Sequence, residues 1–218
     1  MEPRLPAEVN IPVDHVIVKG ELNIPSTAKA IVIFSHGSGS SRFSKRNQQV
    51  ARYLQQRNFG TLLFDLLTEE EEQLYSARFN INLLTKRLAG ATAWLEGLPA
   101  AKDCRIGYFG ASTGAASALQ AAALNPTINA VVSRGGRPDL AMEFLPKVSA
   151  PTLLIVGSLD HDVLLLNKEA LQQLPCRKTL KVVEGASHLF EEPGKMEIVC
   201  ELAAEWFEKF LVPVSLID

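Results

Sequence analysis

The sequence predicts a single three-layer α/β domain, a mostly parallel sheet with helices on both of its faces. Apolar, β-branched runs recur along the 218 residues, helical patterns fill the intervals, and no linker or repeat divides the chain. Alternating strands and helices are typical of such a sheet. Residues 1–218 are therefore expected to form one domain. The predicted strands, about seven in number, are 15–22, 30–35, 61–65, 104–109, 129–133, 152–157 and 179–184.

Each element has its own signal. The run 30–35, "AIVIFS", is apolar throughout, as expected of a strand covered on both faces, whereas 15–22 is typical of an edge strand. The last helix is predicted from apolar residues that repeat with helical spacing. No interval is long enough for a large cap over the sheet. The predicted helices are 43–58, 76–97, 113–124, 163–174 and 194–211.

Composition narrows the class of protein. The formal net charge is −2 with no basic stripe, so we expect no nucleic-acid or anionic membrane partner. No stretch approaches 18 uninterrupted apolar residues, and the first 16 residues lack the apolar core of a signal peptide. The cysteines Cys104, Cys176 and Cys200 are odd in number, and their spacing fits no metal motif. These features predict a soluble cytoplasmic protein without a metal or organic cofactor.

A serine follows the strand 104–109 in the pattern Gly-Ala-Ser-Thr-Gly, residues 110–114. In parallel α/β sheets, ligands bind beyond the carboxyl ends of the strands. A serine on a tight turn between a strand and a helix needs tiny neighbours two residues away, and Gly110 and Gly114 satisfy this requirement. The pattern favours Ser112 as a nucleophile; the alternative is one more small residue at the start of a buried helix.

An acid and a base follow later strands. Asp160 comes three residues after the strand 152–157, and His188 follows the strand 179–184. A histidine base needs an anionic partner that fixes its tautomer, so we favour Asp160 over Asp162 on the same loop. His36, directly after an earlier strand, is interpreted as structural.

The segments "HGSG", "GASTG", "GSLD" and "GASH" resemble, in this order and spacing, the α/β-hydrolase superfamily over nearly the whole chain. The compact size and the missing cap resemble the dienelactone hydrolase family. The resemblance implies that Ser112 is the nucleophile, His188 the general base and Asp160 its orienting acid. It also implies an oxyanion hole made by the backbone N–H groups of Thr113 and Ser38.

Two departures refine the expected activity. Dienelactone hydrolases proper use a cysteine nucleophile, where this chain has a serine, and carry a glutamate where it reads His36-Gly37-Ser38. A serine carboxylesterase acting on small, soluble esters therefore fits better. The alternatives are a lactone hydrolase, a thioesterase, a peptidase, or a binding protein that retained the fold without turnover. The sequence does not indicate the oligomeric state.

Substrate contacts are predicted from glycine and arginine residues near the same strand ends. Gly37 lets the backbone approach the substrate closely. Arg42, Arg134 and Arg137 are either solvated surface charges or an anion clamp for a carboxylate- or phosphate-bearing substrate.

Overall fold

A computed structural model describes residues 7–212 of the chain, in which eight strands form one sheet. The order across the sheet is β1-β2-β4-β3-β5-β6-β7-β8. The strands β3 to β8 run parallel to one another, and β1 and β2 add an antiparallel edge. The strands are β1 (Ala7–Val13), β2 (Val16–Asn23), β3 (Ala30–Ser35), β4 (Gly60–Phe64), β5 (Arg105–Ala111), β6 (Ala130–Arg134), β7 (Thr152–Gly157) and β8 (Lys178–Val183).

Helices cover both faces of this sheet, which confirms the predicted three-layer fold. Helices α1 and α7 pack on one face, and α4, α5 and α6 pack on the other, each over its own apolar cluster. Within residues 7–212 no helix is long and apolar enough to cross a membrane. The helices are α1 (Lys45–Gln56), α2 (Glu69–Glu72), α3 (Tyr75–Arg78), α4 (Ile81–Glu96), α5 (Thr113–Leu124), α6 (His161–Gln173) and α7 (Lys195–Leu211), with 3₁₀ helices at Pro99–Ala101 and Pro138–Lys147.

The strand β1 was not predicted. Asn10 and Pro12 interrupt its apolar pattern, yet both face solvent while Ile11 and Val13 are buried. A two-residue turn with Asp14 at a φ of 51° joins β1 to β2. The expectation that 15–22 is an edge strand was therefore wrong, because β1 covers that edge.

The predicted helix 76–97 is also divided in the structure. Helix α3 ends at Arg78 and α4 begins at Ile81. Between them, the Asn80 side chain accepts a hydrogen bond of 3.1 Å from the Leu83 N–H and caps α4. An asparagine at this position favours a new helix start over continuation of the preceding turn.

The parallel strands bring the predicted site residues to one edge of the sheet. Gly110 at the end of β5 pairs with Ser35 of β3, and Ala111 pairs with Arg134 of β6. At the same edge, Gly157 of β7 pairs with Val183 of β8. The loops that follow these strands therefore meet above the centre of the sheet.

Candidate active site

Ser112 occupies the turn between β5 and α5 in a conformation that non-glycine residues rarely adopt. Its φ is 52° and its ψ is −120°, and its side chain does not cap α5. Residues held in such conformations cost about 1–3 kcal/mol each and cluster at functional sites. The turn therefore leaves the hydroxyl available instead of using it to satisfy the helix.

The two glycines of the turn are required by close packing. A Cβ at Gly114 would lie 2.1 Å from the Ser35 carbonyl oxygen, and a Cβ at Gly110 would lie 2.5 Å from the Ala115 Cα. A buried hydrogen bond of 2.8 Å between the hydroxyls of Ser35 and Ser117 further ties β3 to α5. The turn residues thus meet the steric demand expected from the sequence.

Asp160 and His188 meet across the loops that follow β7 and β8. The Asp160 Oδ2 lies 2.6 Å from the His188 Nδ1. Because a carboxylate accepts, Nδ1 carries the proton and donates, which leaves Nε2 able to accept a proton in the neutral ring. Asp162 and His161, which also follow β7, are exposed in the first turn of α6.

The segment 134–137 connects the serine to the histidine. The Ser112 N–H donates to the Arg134 carbonyl at 3.2 Å, and the Arg137 N–H donates to the Ser112 carbonyl at 3.1 Å. Gly135, at a φ of 54°, packs so closely that a Cβ there would lie 3.4 Å from the His188 Cε1. Among residues 7–212 no hydrogen bond joins the Ser112 hydroxyl to His188, as is common before substrate binds.

The predicted oxyanion donors lie beside the serine. The Thr113 N–H is the first of α5, and the first four N–H groups of a helix have no partner within it. The Ser38 N–H donates to the Thr113 Oγ1 at 2.9 Å, so this amide is already hydrogen bonded. A Cβ on Gly37 would lie 3.9 Å from the Ser112 Oγ, which brings the β3–α1 loop against the Ser112 side chain.

His36 has a structural role, in line with its interpretation from the sequence. The Leu66 N–H donates to its Nε2 at 3.0 Å, so Nδ1 carries the proton and donates to the Gly37 carbonyl at 2.9 Å. Burial lowers the pKa of this imidazole and keeps it neutral. His36 thereby holds the loop that carries Gly37 and Ser38 against the end of β4.

The histidine loop, residues 184–194, contains two supporting residues that sequence reasoning missed. Phe190 is buried with a φ of 56°. The Glu192 carboxylate accepts the Ser187 N–H at 3.1 and 3.2 Å, directly before His188. The hydrogen bond from Ser187 lowers the pKa of Glu192. A short-range glutamate contact of this kind leaves no periodic signal in a sequence.

The three predicted arginines differ in their partners. Arg42 forms an ion pair with Asp65, and Arg137 forms two hydrogen bonds of 2.9 and 2.7 Å with Asp139. Arg134 is buried, and no carboxylate in residues 7–212 pairs with it. The structure therefore separates the three residues that the sequence grouped as one clamp.

A cavity of about 680 Å³ lies between the β3–α1 loop and the segment that follows β4. Its lining mixes charges of both signs with hydroxyl and amide groups. The cavity shares His36 and the β3–α1 loop with the candidate site, but neither Ser112 nor His188 lines it. The lining residues are His36, Ser40, Ser41, Arg42, Phe43, Asp65, Leu67, Thr68, Glu69, Glu72, Gln73 and Arg78.

Comparison with known proteins identifies the family. The dienelactone hydrolase family matches residues 18–211, and the chain belongs to that family. It is similar to a dienelactone hydrolase from Anabaena variabilis, with 54% identity over 95% of this chain and all of that one, and a TM-score of 0.91. Est1E from Butyrivibrio proteoclasticus, at 16% identity and a TM-score of 0.79 over 93% of this chain and 98% of that one, shares the fold. The predicted α/β-hydrolase fold and family resemblance are thus confirmed.

Two curated relatives from Mycobacterium tuberculosis bear a different name. Each is called a "Putative phosphoribosyl transferase" and is 54% identical over 202 residues. The match covers 92% of this chain and 45% of the relative. The chain therefore spans less than half the length of these relatives, and their name was given to much longer proteins.

Proposed function

We propose that this chain is a serine hydrolase that cleaves small, soluble carboxylic esters through an acyl-enzyme on Ser112. The observation that carries the proposal is the 2.6 Å contact between Asp160 and His188 at the edge where Ser112 stands on its strained turn. An aspartate that fixes the histidine tautomer leaves the opposite ring nitrogen able to activate a hydroxyl. Membership of a hydrolase family supports the same reaction class.

In the first half-reaction, the Ser112 Oγ attacks the ester carbonyl carbon while the His188 Nε2 takes the hydroxyl proton. The carbonyl oxygen becomes an oxyanion, which the N–H groups of Thr113 and Ser38 stabilise. The bond between the carbon and the leaving oxygen then breaks, and His188 donates its proton to that oxygen. The alcohol leaves, and the acyl group remains on Ser112.

In the second half-reaction, water replaces the alcohol. His188 takes a proton from water as its oxygen attacks the acyl carbon, and the bond to the Ser112 Oγ breaks as His188 returns the proton to the serine. The carboxylic acid leaves and the free enzyme is restored. Every proton moves through His188, and no metal or organic cofactor takes part in the proposed cycle.

Substrate selection is the finer part of the proposal. The same three residues support cleavage of lactones, thioesters or peptides, and the fold does not choose among them.

The short helices α2 and α3 and the 3₁₀ helix Pro138–Lys147 are the largest additions near this edge, which supports access by small esters. We place Gly37 at the reacting carbonyl. The near-balanced charge supports a protein without nucleic-acid partners, and the free cysteines Cys104, Cys176 and Cys200 support a cytoplasmic location.

The transferase name of the mycobacterial relatives is not extended to this chain. That name describes proteins of which the match covers 45%, whereas the family shown here matches residues 18–211. The side chains gathered at the sheet edge are a hydroxyl, an imidazole and a carboxylate, which suit acyl transfer to water.

A fluorophosphonate probe tests the activated serine. We expect the native protein to be labelled and Ser112→Ala to remain unlabelled, because the probe reacts with a serine that a histidine has activated. Ser117→Ala is a matched control, since this serine is buried and donates to the Gly114 carbonyl. A native protein that stays unlabelled would indicate a binding protein without turnover.

A substrate panel then separates the chemistries. Nitrophenyl esters from C2 to C12 measure the acyl pocket, and matched lactones, thioesters and peptides measure the leaving-group preference. We expect the highest kcat/KM for short esters, and a loss of about 10⁴-fold or more in Ser112→Ala. A higher kcat/KM for thioesters or lactones would replace the ester assignment and retain the nucleophile.

A further inference from the structure

Arg134 is a buried guanidinium without a partner. The residue is 4% exposed, and its Nε is sealed from solvent with no hydrogen-bond acceptor. The two terminal nitrogens, which also have no acceptor within residues 7–212, are not sealed. The tip of the side chain therefore keeps a small contact with solvent. Buried charges in proteins are normally paired, so this guanidinium is suited to pair with an anion.

Burial lowers the pKa of Arg134 to about 10, and the positive charge of Arg46 adds to this shift. The guanidinium therefore remains protonated at neutral pH. Arg46 stands in the first turn of α1, where the helix dipole adds further positive potential. Phe190, with its ring 5.9 Å from the guanidinium carbon, offers only a weak attraction.

Arg134 also belongs to the segment that joins the proposed nucleophile and base. Its carbonyl accepts the Ser112 N–H, and the next residue, Gly135, packs on the His188 ring. Arg46 reaches across to the histidine loop, where it pairs with Glu191 at 2.9 Å. The unpaired charge thus lies between α1 and the histidine loop, on the border of the proposed site.

We propose that Arg134 is the anion-binding residue of this site, and that the ester cleaved by the chain carries a carboxylate or phosphate group that pairs with it. This inference rests on the proposed function and narrows its substrate class to anionic esters. The two other predicted clamp residues are excluded from this role. Asp65 and Asp139 already satisfy Arg42 and Arg137, so a substrate anion at either position would have to displace a carboxylate.

The planar guanidinium defines the expected ligand. Arginine presents parallel N–H groups that match the two oxygens of a carboxylate or of a phosphate, whereas lysine offers a point charge. Arg134→Lys should therefore keep part of the anion preference, and Arg134→Gln should lose it. Arg57→Gln is the matched control, because this exposed arginine pairs with Glu208 at the opposite end of α1.

Binding is measured first with inorganic phosphate and with succinate, each against chloride at equal ionic strength. We expect both to raise the melting temperature of the native protein and of Arg57→Gln, and neither to protect Arg134→Gln. Phosphate protecting at lower concentration than succinate assigns a phosphate-bearing substrate, and the reverse order assigns a carboxylate. Protection that persists in Arg134→Gln would overturn the site.

Catalysis is measured with two nitrophenyl esters of similar size, the neutral butyrate and the hemisuccinate, which carries one carboxylate. Arg134→Gln should lower the ratio of kcat/KM for hemisuccinate to that for butyrate by about ten- to a hundredfold. Arg57→Gln should leave the ratio unchanged. An equal loss on both esters would identify Arg134 as structural and overturn the inference. If Arg134→Gln fails to fold, the same ratio of kcat/KM is measured with Arg134→Lys, which keeps the charge.

The two proposals fail in distinguishable ways. A protein that neither reacts with fluorophosphonate nor cleaves any ester contradicts the proposed hydrolase, while Arg134-dependent protection by phosphate still supports the anion site. Ester cleavage with no preference for anions contradicts the anion site alone.

Discussion

The serine turn and the histidine loop contribute to the same candidate site but are held by different forces. The turn lies at the end of β5, in the middle of the sheet, where its glycines leave no room for a Cβ. The histidine loop follows β8, the last strand of the sheet, several of whose residues are exposed. Hydrogen bonds that the His188 ring and the Ser187 N–H donate to the carboxylates of Asp160 and Glu192 hold this loop.

This difference indicates how each part responds to change. A close-packed turn tolerates almost no added volume, because interiors are packed like crystals. A loop held by carboxylates tolerates volume but depends on charge and therefore on pH. Substitutions that add volume should therefore act mainly at the turn, and substitutions that remove charge should act mainly at the loop.

The largest effect is expected from removing the charge beside the base. Asp160→Asn keeps the size of the side chain but favours the wrong histidine tautomer, so kcat should fall about 10³–10⁴-fold. The loss of one charged hydrogen bond in the loop should lower the free energy of unfolding by only about 1–2 kcal/mol. Ester turnover and thermal unfolding measure the two quantities. Asp162→Asn, on the exposed first turn of α6, should leave both unchanged. A comparable loss in Asp162→Asn would transfer the acid to that residue.

The next effect is expected from adding volume at the turn. Gly114→Ala places a Cβ 2.1 Å from the Ser35 oxygen and 2.4 Å from the His36 oxygen, and backbone atoms must move to relieve this overlap. The free energy of unfolding should fall by about 3 kcal/mol, as measured by denaturant titration.

Gly97→Ala is the matched control for volume. Gly97 has a φ of −73°, and the nearest atom to an added Cβ is 3.3 Å away. Alanine reduces the conformational freedom of the unfolded chain, which offsets the 3.3 Å contact with the Trp94 carbonyl oxygen, so the free energy of unfolding should change by less than about 1 kcal/mol. Equal destabilisation by both variants would contradict the view that packing defines the turn.

The smallest effect is expected at Glu192 and depends on pH. The pKa of Glu192 in the folded state lies below its ordinary value of 4.5 because the Ser187 N–H donates to the carboxylate. Its contribution to stability is therefore complete above pH 4.5 and is lost as the pH falls through the folded pKa. The difference in unfolding free energy between the native protein and Glu192→Gln should shrink with acidification.

Glu205→Gln, an exposed residue of α7, is the control for this pH series. Its difference from the native protein should stay nearly constant between pH 3 and pH 7. A constant difference for Glu192→Gln as well would show that the Ser187 contact does not hold the histidine loop.

The sequence predicted the parts of the fold that depend on local rules. The small residues around Ser112 stand out because a strained turn limits its immediate neighbours. Asp160 and His188 could be placed because residues that follow parallel strands meet at one edge. The strand β1 was missed, since Pro12 and Asn10 are acceptable only on its solvent-facing side.

The partners of the arginines were less accessible to sequence reasoning. Arg42 meets Asp65 only because β3 and β4 are neighbours in the sheet, so the contact depends on topology. Arg137 and Asp139 are two residues apart, and their pairing was open to prediction from spacing alone. The isolation of Arg134 is a property of the assembled fold, because it depends on which carboxylates fail to reach it.

The hydrogen bond between the Ser38 N–H and the Thr113 hydroxyl has an energetic consequence for the proposed reaction. In the resting protein, the hydroxyl oxygen occupies the acceptor position that a substrate oxyanion would take. Forming the oxyanion then exchanges a neutral acceptor for a charged one, and charged hydrogen bonds are about twice as strong as neutral ones. For the Ser38 donor, only that difference is available to lower the barrier of the proposed reaction. In the proposed reaction, the Thr113 hydroxyl would therefore compete with the substrate for the Ser38 N–H, keep that N–H aligned between turnovers, and reduce the gain from weakly charged ligands.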